Sequence, residues 1–159
     1  MLPKRDLRIH KVGINLMREL YPILQPTTNP HKSTHFNPDT GDVLRQKTDT
    51  YPFVNIFIEE FSDYRKHTIG GPFQAFDDGC NMFCYYYPLE GKIIWTTLSK
   101  ESIQSHYDLL QMYRGNNHRT KYVPNKGYLT KGYTINVWEY LKWMGNFCTL
   151  TEVPVRPLE

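Results

Sequence analysis

The segment from Asp42 to Glu60 constrains the fold of this chain more than any other part of the sequence. It contains two runs of β-forming residues, 42–48 and 54–61, separated by a turn that contains Pro52. Because side chains alternate across a strand, charged residues on two paired strands can be held rigidly and made to converge on one point. The segment therefore has two interpretations. It is either a site in which charged groups meet, or an edge hairpin whose charges face water and block aggregation.

Four charged side chains in this segment are positioned to form such a site. Lys47 and Asp49 lie at the end of the first run, and Glu59 and Glu60 lie in the second. Converging carboxylates need a cation, and a divalent metal held between carboxylates beside a lysine is the catalytic centre of many phosphodiesterases. The segment alone therefore raises the hypothesis of metal-dependent phosphodiester chemistry.

The rest of the chain predicts a mixture of helices and strands. An imperfect apolar stripe at helical spacing predicts a helix over residues 6–21, which Pro22 ends. Residues 22–41 are either an irregular loop or contain a short strand, 32–36, that pairs with 42–48 across a turn rich in Pro, Asp and Gly. The further predicted elements are a helical turn at 73–78, a hairpin of strands 81–88 and 92–98, a helix that follows Ser99 and runs to about Tyr113, and a helix at 135–144.

This order of elements predicts an α/β domain whose strands are at least partly antiparallel. A length of 159 residues fits one domain, with a core over 6–112 and a basic loop and C-terminal helix over 114–150. On the helix that follows Ser99, Leu110 and Met112 are expected to be buried. The Pro-containing tail from Val153 is expected to be loose.

Cysteine content and hydropathy predict a soluble, cytoplasmic protein. Cys80, Cys84 and Cys148 have no metal-ligand spacing and are expected to be reduced and mostly buried. No apolar stretch is long enough to span a membrane, and the N-terminus is too polar for a signal peptide. His31 and His35 are four residues apart but lie in a Pro-rich stretch, which disfavours a helical metal-binding pair, and His106 is isolated. The histidines are therefore expected on the surface or in the core.

Residues 114–133 carry a second signal, because they interleave basic and aromatic side chains without the periodicity of a helix or strand. A flexible loop of this composition suits contact with nucleic-acid phosphates and stacking on bases. The alternative is a solvated basic loop whose tyrosines are anchored in the core. The predicted nucleic-acid-binding residues are Lys66, Arg114, Arg119, Lys121, Tyr122, Lys126, Tyr128 and Lys131.

Several short motifs follow one another in an order that matches a known superfamily. Glu19 on the first predicted helix is followed by Lys47-Thr48-Asp49 at the end of a strand and by Asn55-Ile56-Phe57-Ile58-Glu59 in the next strand. The later matching residues are Gly70-Gly71, Ala75, Asp78, Tyr85-Tyr86-Tyr87 and Leu98-Ser99. Over residues 8–112 this pattern resembles small phage-type nuclease-like proteins of the PD-(D/E)xK superfamily.

The resemblance implies a restriction-endonuclease-like core, with a mixed sheet of about four to five strands flanked by helices. It implies a DNA endonuclease that needs Mg²⁺ or Mn²⁺ and acts on double-stranded or branched DNA at a particular site or structure. Asp42, Asp49 and Glu59 would be the metal ligands, Glu19 would reach in from the helix, and Lys47 would lie near the scissile phosphate. A homodimer or tetramer is expected, since cutting two strands at once needs two active sites.

The chain departs from the family pattern at one position of the signature. The signature has Asp or Glu two residues before the lysine, where this chain has Arg45. Gln46 does not replace it, because a shift of one residue along a strand turns a side chain to the other face. Either the acidic role is redistributed to the other carboxylates, or the metal site is lost. The second case predicts a catalytically inactive nucleic-acid-binding or protein-inhibitor module on the same scaffold.

Overall fold

The computed structural model describes residues 4–28 and 33–158, which form four α-helices and ten strands. The helices are α1 (Lys4–Leu20), α2 (Gly71–Asp77), α3 (Lys100–Tyr113) and α4 (Val137–Met144). The strands are β1 (Gln25–Pro26), β2 (Thr34–Phe36), β3 (Val43–Thr48), β4 (Asn55–Asp63), β5 (Thr68–Ile69), β6 (Met82–Tyr87), β7 (Lys92–Thr97), β8 (Thr120–Asn125), β9 (Tyr128–Asn136) and β10 (Cys148–Glu152).

The strands form two sheets. The first sheet has six strands in the order β1-β2-β3-β6-β7-β10, and within it β3 and β6 run parallel while the other neighbours are antiparallel. The second sheet has four antiparallel strands in the order β5-β4-β9-β8. The predicted α/β architecture with a mixed sheet is confirmed. The prediction of one sheet with about four to five strands is wrong, because the chain divides its strands between two sheets.

The two strands of the 42–60 segment do not pair with each other. Strand β3 pairs with β2 and β6 in the first sheet, whereas β4 pairs with β5 and β9 in the second. The predicted pairing within this segment is therefore wrong, since local β propensity identifies a strand without identifying its partner. The short strand predicted at 32–36 is confirmed as β2, although Lys32 itself lies outside the described residues.

Helix α1 packs against β3 through a glycine. A Cβ atom at Gly13 would lie only 2.0 Å from Thr48 Oγ1, so the helix approaches the strand as closely as only glycine allows. Beside this contact, Leu16 and Met17 of α1 pack with Leu44 of β3 in a buried apolar cluster. The helix is thereby held over one face of β3.

The main core lies between the two sheets, α3 and α4. Its largest fully buried side chains include Tyr85 and Tyr87 of β6, Ile56 and Ile58 of β4, Tyr133 and Ile135 of β9, and Tyr140 of α4. Helix α3 begins as predicted, because the Ser99 hydroxyl accepts the N–H of Ser102. Leu110 is buried, as predicted, but Met112 is 63% exposed, and His106 is among the buried side chains of α3.

The basic segment 114–133 contains a β-hairpin instead of the predicted irregular loop. Strands β8 and β9 pair from Thr120 opposite Tyr133 to Asn125 opposite Tyr128, around a two-residue turn. Strand β9 pairs in turn with β4, which fixes the hairpin to the second sheet. The pairing of β9 with β4 joins residues far apart in the sequence, so local composition did not indicate it.

The C-terminal tail is attached to the first sheet. Strand β10, which the sequence did not indicate, pairs with β7. Beyond it, the N–H groups of Val153 and Arg156 donate to the carbonyl oxygens of Gly91 and Pro88. The predicted loose tail is therefore wrong, because the edge of β7 and the turn before it supply partners for the backbone.

A buried polar chain crosses the core at α3. His106 is fully buried, and its Nδ1 donates to the Ser102 carbonyl oxygen at 2.7 Å, which leaves Nε2 to accept from the Tyr140 hydroxyl at 2.8 Å. The Tyr140 oxygen also lies 3.0 Å from Thr96 Oγ1. Burial lowers the pKa of His106 to about 4, so the ring is neutral in the folded protein at neutral pH.

His106 is expected to make the stability of the fold pH-dependent. The folded pKa of about 4 lies below the ordinary value of 6.5, so the unfolded chain binds the proton more tightly and stability falls as the pH drops from about 6.5 toward 4. From this group alone, the free energy of unfolding should fall by about 2 kcal/mol between about pH 7.5 and about pH 5. Urea titrations at the two pH values measure this fall in the free energy of unfolding. In His106→Gln the fall should be smaller than in the native chain by about 2 kcal/mol. An equal loss in the variant would contradict this role.

Candidate functional site

The alternation of side chains along β3 creates the candidate site. Gln46 and Thr48 face α1, whereas Arg45 and Lys47 face the other way. Strand β2 pairs with β3 only from Val43 to Arg45, so no described strand covers the edge of β3 beside Lys47. Lys47 therefore extends from an uncovered strand edge toward the second sheet.

Lys47 contacts β4 of the second sheet. Its Nζ donates to the Phe57 carbonyl oxygen at 3.3 Å and lies 4.4 Å from the centre of the Phe57 ring, in a cation–π contact. Burial lowers the pKa of Lys47, and the negative charges of Asp49 and Glu59 partly oppose that shift. Lys47 is thus a poorly hydrated amine within electrostatic reach of two carboxylates.

Glu59 lies two residues after Phe57 and therefore on the same face of β4. Its carboxylate occupies the space that a side chain at Gly70 would need, since a Cβ atom there would lie 2.0 Å from Oε1. Burial raises the pKa of Glu59, while Lys47 and a hydrogen bond from the Gly71 backbone N–H limit the rise. The two glycines before α2 therefore make room for this carboxylate and help to hold it.

Lys47 and Glu59 line one cavity of about 760 Å³ between α1, β3 and the second sheet. Lys11 and Arg18 of α1 and Arg45 of β3 line the same cavity and make its wall basic. Cavities of roughly 300–1,000 Å³ are typical binding sites for small ligands. Two ionisable groups whose pKa values are shifted by burial in a cleft are typical of a functional site. This cavity is therefore the candidate site of the molecule.

Arg45, which stands where the PD-(D/E)xK signature has Asp or Glu, has fixed polar partners in the fold. Its guanidinium is 3% exposed, with Nη1 at 2.8 Å from Asp78 Oδ2. Its Nε donates to Thr34 Oγ1 at 3.2 Å. The buried cation has a carboxylate partner at the end of α2, so it is stable at this position.

A chain of buried polar side chains supports the α1 side of the cavity. Arg18 Nε donates to His35 Nδ1 at 3.3 Å, His35 Nε2 donates to Gln46 Oε1 at 2.7 Å, and Gln46 Nε2 donates to Thr48 Oγ1 at 2.9 Å. Burial lowers the pKa of His35, so the ring is neutral and the Arg18 donor sets its proton on Nε2. Sequence reasoning assigned His35 only to surface or core and missed this role, because no motif joins α1 to β2.

Two of the predicted catalytic carboxylates, Asp49 and Glu59, lie within electrostatic reach of Lys47. Asp49 directly follows β3 and is buried, and its Oδ1 accepts the N–H of Tyr51 at 2.8 Å. Its negative charge acts on Lys47, and the pKa of Tyr87 is raised by burial and, to a smaller extent, by the charge of Asp49. Lys47 and Glu59 therefore line one cavity, and Asp49 acts electrostatically on Lys47 without being among the lining residues.

Asp42 and Glu19 lie elsewhere. Asp42 precedes β3 at its other end, five residues and about 16 Å from Lys47 at the rise of an extended strand. Its carboxylate accepts a hydrogen bond from Asn81 Nδ2 at 2.8 Å. Glu19 is exposed and forms an ion pair with Arg156 of the C-terminal tail at 2.5 Å. The structure does not bring these two carboxylates to the cavity centre.

The remaining donors limit the kind of metal that the cavity can hold. Within residues 4–28 and 33–158, no group of three or more His, Cys, Asp or Glu side chains is placed to bind a metal ion. Asp49 and Glu59 are the two carboxylates whose charge acts on Lys47. Mg²⁺ keeps several waters and is often held by one or two carboxylates together with substrate phosphates. Glu59 lines the cavity and Asp49 is not among its lining residues, so a Mg²⁺ ion there would depend on water and substrate phosphate for most of its ligands.

Two of the predicted nucleic-acid-binding residues, Arg114 and Lys131, form ion pairs with Glu60. Glu60 is buried, and its carboxylate lies 3.1 Å from Arg114 Nη2 and 3.6 Å from Lys131 Nζ. The Tyr133 hydroxyl donates to it at 3.4 Å. A buried carboxylate needs such partners, since breaking the set would leave an uncompensated charge. Arg114 and Lys131 therefore act in the fold as counter-ions of Glu60.

The other predicted nucleic-acid-binding residues fall in two places. Lys66, Lys121 and Lys126 are exposed, and Arg119 is half-buried. Tyr122 is 49% exposed and packs edge-on against Tyr64, with ring centres 5.4 Å apart. Tyr128, in contrast, lines the cavity that contains Lys47 and Glu59. Of the predicted nucleic-acid-binding residues, Tyr128 therefore belongs to the same site as the charged pair.

Comparison with protein-family models, with curated proteins and with solved structures finds no match to this chain. Among the described helices, none has the length and hydropathy needed to cross a membrane. The geometry of the cavity is therefore the basis on which its function is inferred.

Gly70→Ala tests the contact that positions Glu59. The new methyl group would lie 2.0 Å from Glu59 Oε1 and 2.8 Å from the Ser62 backbone nitrogen, so the carboxylate must move. We expect the free energy of unfolding to fall by about 1–3 kcal/mol, measured by urea titration. The same substitution should cost less in a Glu59→Ala background, because the carboxylate is then absent. Equal costs in the two backgrounds would show that Glu59 does not fill this space.

Lys47 and Glu59 are expected to lower the stability of the fold, because burial disfavours the charged form of each. The double variant Lys47→Met/Glu59→Gln should raise the free energy of unfolding at neutral pH by about 1–2 kcal/mol. As a control, Lys92→Met/Glu152→Gln removes an exposed ion pair and should change stability little. A clear loss of stability in the first double variant would mean that the buried pair supports the fold.

Proposed function

We propose that this chain is a Mg²⁺-dependent endonuclease that hydrolyses phosphodiester bonds of DNA at the cavity of Lys47 and Glu59. The observation that carries the proposal is the convergence of these two side chains, from strands of different sheets, in one basic cavity. Both residues belong to the motifs that resemble the PD-(D/E)xK superfamily. On this proposal the fold is a restriction-endonuclease-like core in which Lys47 and Glu59 come from different sheets.

The residues of the cavity suit the requirements of phosphodiester hydrolysis. The reaction needs a phosphate held in place, an activated water, and compensation of the negative charge that develops on the phosphoryl oxygens. Mg²⁺ bound by Asp49 and Glu59 would supply the activated water and act as a Lewis acid. Lys47 donates its N–H to a phosphate oxygen and offsets its charge, while Lys11 and Arg18 attract the polyanion to the cavity.

A second function, from a different class, is favoured by Arg45. This residue is buried and paired with Asp78 where the family signature has an acidic residue. A chain that has lost a metal ligand but keeps a basic cavity would bind nucleic acid, or a protein that resembles it in charge, without cutting. The two functions differ in metal-dependent cleavage.

Cleavage assays on supercoiled and branched DNA distinguish the two functions. We expect cutting with Mg²⁺ or Mn²⁺ and none with EDTA. Lys47→Ala and Glu59→Ala should each lower the rate by about 100-fold or more, because each removes a group that acts on the developing charge or on the metal. Asp49→Asn should also lower the rate, since it removes a ligand charge.

Asp42→Asn and Glu19→Gln are the matched controls. Both residues are carboxylates of the predicted set that lie outside the cavity centre, so their substitution should leave the cleavage rate close to that of the native chain. Losses in these variants as large as in Glu59→Ala would contradict the assigned site. Absence of cutting with every metal, together with binding that weakens steeply with salt, would favour the inactive binding module.

A further inference from the structure

The charged centre of the cavity lies between two walls, where Lys47 and Glu59 are half-buried. Helix α1 forms one wall, and residues of β4 and β9 form the opposite wall. Loss of hydration shifts the pKa values of both Lys47 and Glu59, as expected for groups set back from bulk water. A substrate phosphate must therefore enter between two walls to reach the Lys47 amine.

A perfectly paired duplex is poorly suited to enter such a cavity. Its phosphates lie on the convex outside of a wide cylinder, and the stacked bases and second strand prevent one nucleotide from moving inward. An unpaired nucleotide is narrow and its backbone is flexible, so it can lead its phosphate and base between the walls. The volume of about 760 Å³ lies within the range of roughly 300–1,000 Å³ that encloses ligands of this size.

Tyr128 offers an aromatic surface for the base. It lines the cavity at the start of β9, beside the exposed turn formed by Lys126 and Gly127. The Phe57 ring in the same cavity is already covered by Lys47, at 4.4 Å. The Tyr128 ring, by contrast, packs against no other aromatic ring and lies under no cation among the described residues. Base–aromatic stacking tolerates any base sequence, because every base has a flat face.

Polar side chains around the cavity complete a site for a nucleotide. Asn15 of α1 and Gln74 of α2 line it and provide amide donors and acceptors for a sugar or a base edge. Together with Tyr128 and Lys47, the cavity has a stacking surface, hydrogen-bonding groups and a cation. These are the three kinds of group that proteins use to bind an unpaired nucleotide.

We infer that the cavity accepts an unpaired nucleotide, whose base stacks on Tyr128 and whose phosphate lies at Lys47. The inference rests on the proposed function and makes it more specific, because it names single-stranded nucleic acid, or a nucleotide extruded from a duplex, as the form of the substrate. Both forms present the same chemistry to the cavity. A perfectly paired duplex does not.

Binding measured without cutting tests the inference directly. Fluorescence anisotropy in EDTA compares a labelled DNA single strand of about 12 nucleotides, the matching duplex, and a duplex with one unpaired nucleotide at its centre. We expect the single strand to bind at least about tenfold more tightly than the perfect duplex. Tyr128→Ala should weaken single-strand binding by about tenfold, while Tyr128→Phe, which keeps the stacking ring, should bind like the native chain.

Tyr122→Ala is the matched control. Tyr122 is an exposed tyrosine of the same hairpin that packs on Tyr64 outside the cavity, so its substitution should change single-strand binding much less than Tyr128→Ala. Tight binding of the interrupted duplex would extend the inference to extruded nucleotides, and weak binding would restrict it to single strands. Both results support it.

Three results would overturn the inference. They are equal affinity for the perfect duplex and the single strand, unchanged single-strand affinity in Tyr128→Ala, and no measurable binding of single strands. If the proposed nuclease function is wrong but the inference holds, Mg²⁺-dependent cutting will be absent while the preference for binding single strands persists. Cutting of perfect duplex and single strand at equal rates would overturn the inference and leave the proposed nuclease function intact.

Discussion

The position of β3 between two layers determines the rest of this structure. On one face, Gly13 lets α1 approach Thr48 closely, and on the other face Lys47 donates to the Phe57 carbonyl oxygen of the second sheet. The two sheets share no strand, so contacts of this kind join them beside the cavity. The strand that supports the fold therefore also forms the floor of the candidate site.

Two groups of charged side chains differ in how their charges are compensated. Arg45 and Glu60 are each compensated by fixed partners of opposite charge, Asp78 in the first case and Arg114 with Lys131 in the second. Lys47 and Glu59 instead line a cavity, and burial shifts the pKa of each toward its neutral form. Fully compensated charges serve the fold, whereas a partly compensated pair in a cleft is typical of a site that awaits a charged ligand.

Local elements were predictable from the sequence, but their partners were not. The hairpin of β6 and β7 and the Ser99 cap of α3 follow from turn and cap residues that lie beside them. The division of β3 and β4 between two sheets depends on β9, which begins 65 residues after β4 ends. The motif pattern singled out Lys47 and Glu59, which line one cavity, yet the pairing of Glu60 with Arg114 and Lys131 joins residues that no local pattern connects.

The central claim is that Lys47 and Glu59, from different sheets, act on each other in one cavity. An NMR titration of the Glu59 carboxyl carbon in the native chain and in Lys47→Met tests it most directly. The pKa of Glu59 should lie above its ordinary value and rise further in the variant, because the positive charge of Lys47 opposes the effect of burial. Lys92→Met, which removes a distant cation, should leave it unchanged. A Glu59 pKa that does not respond to Lys47→Met would contradict the account.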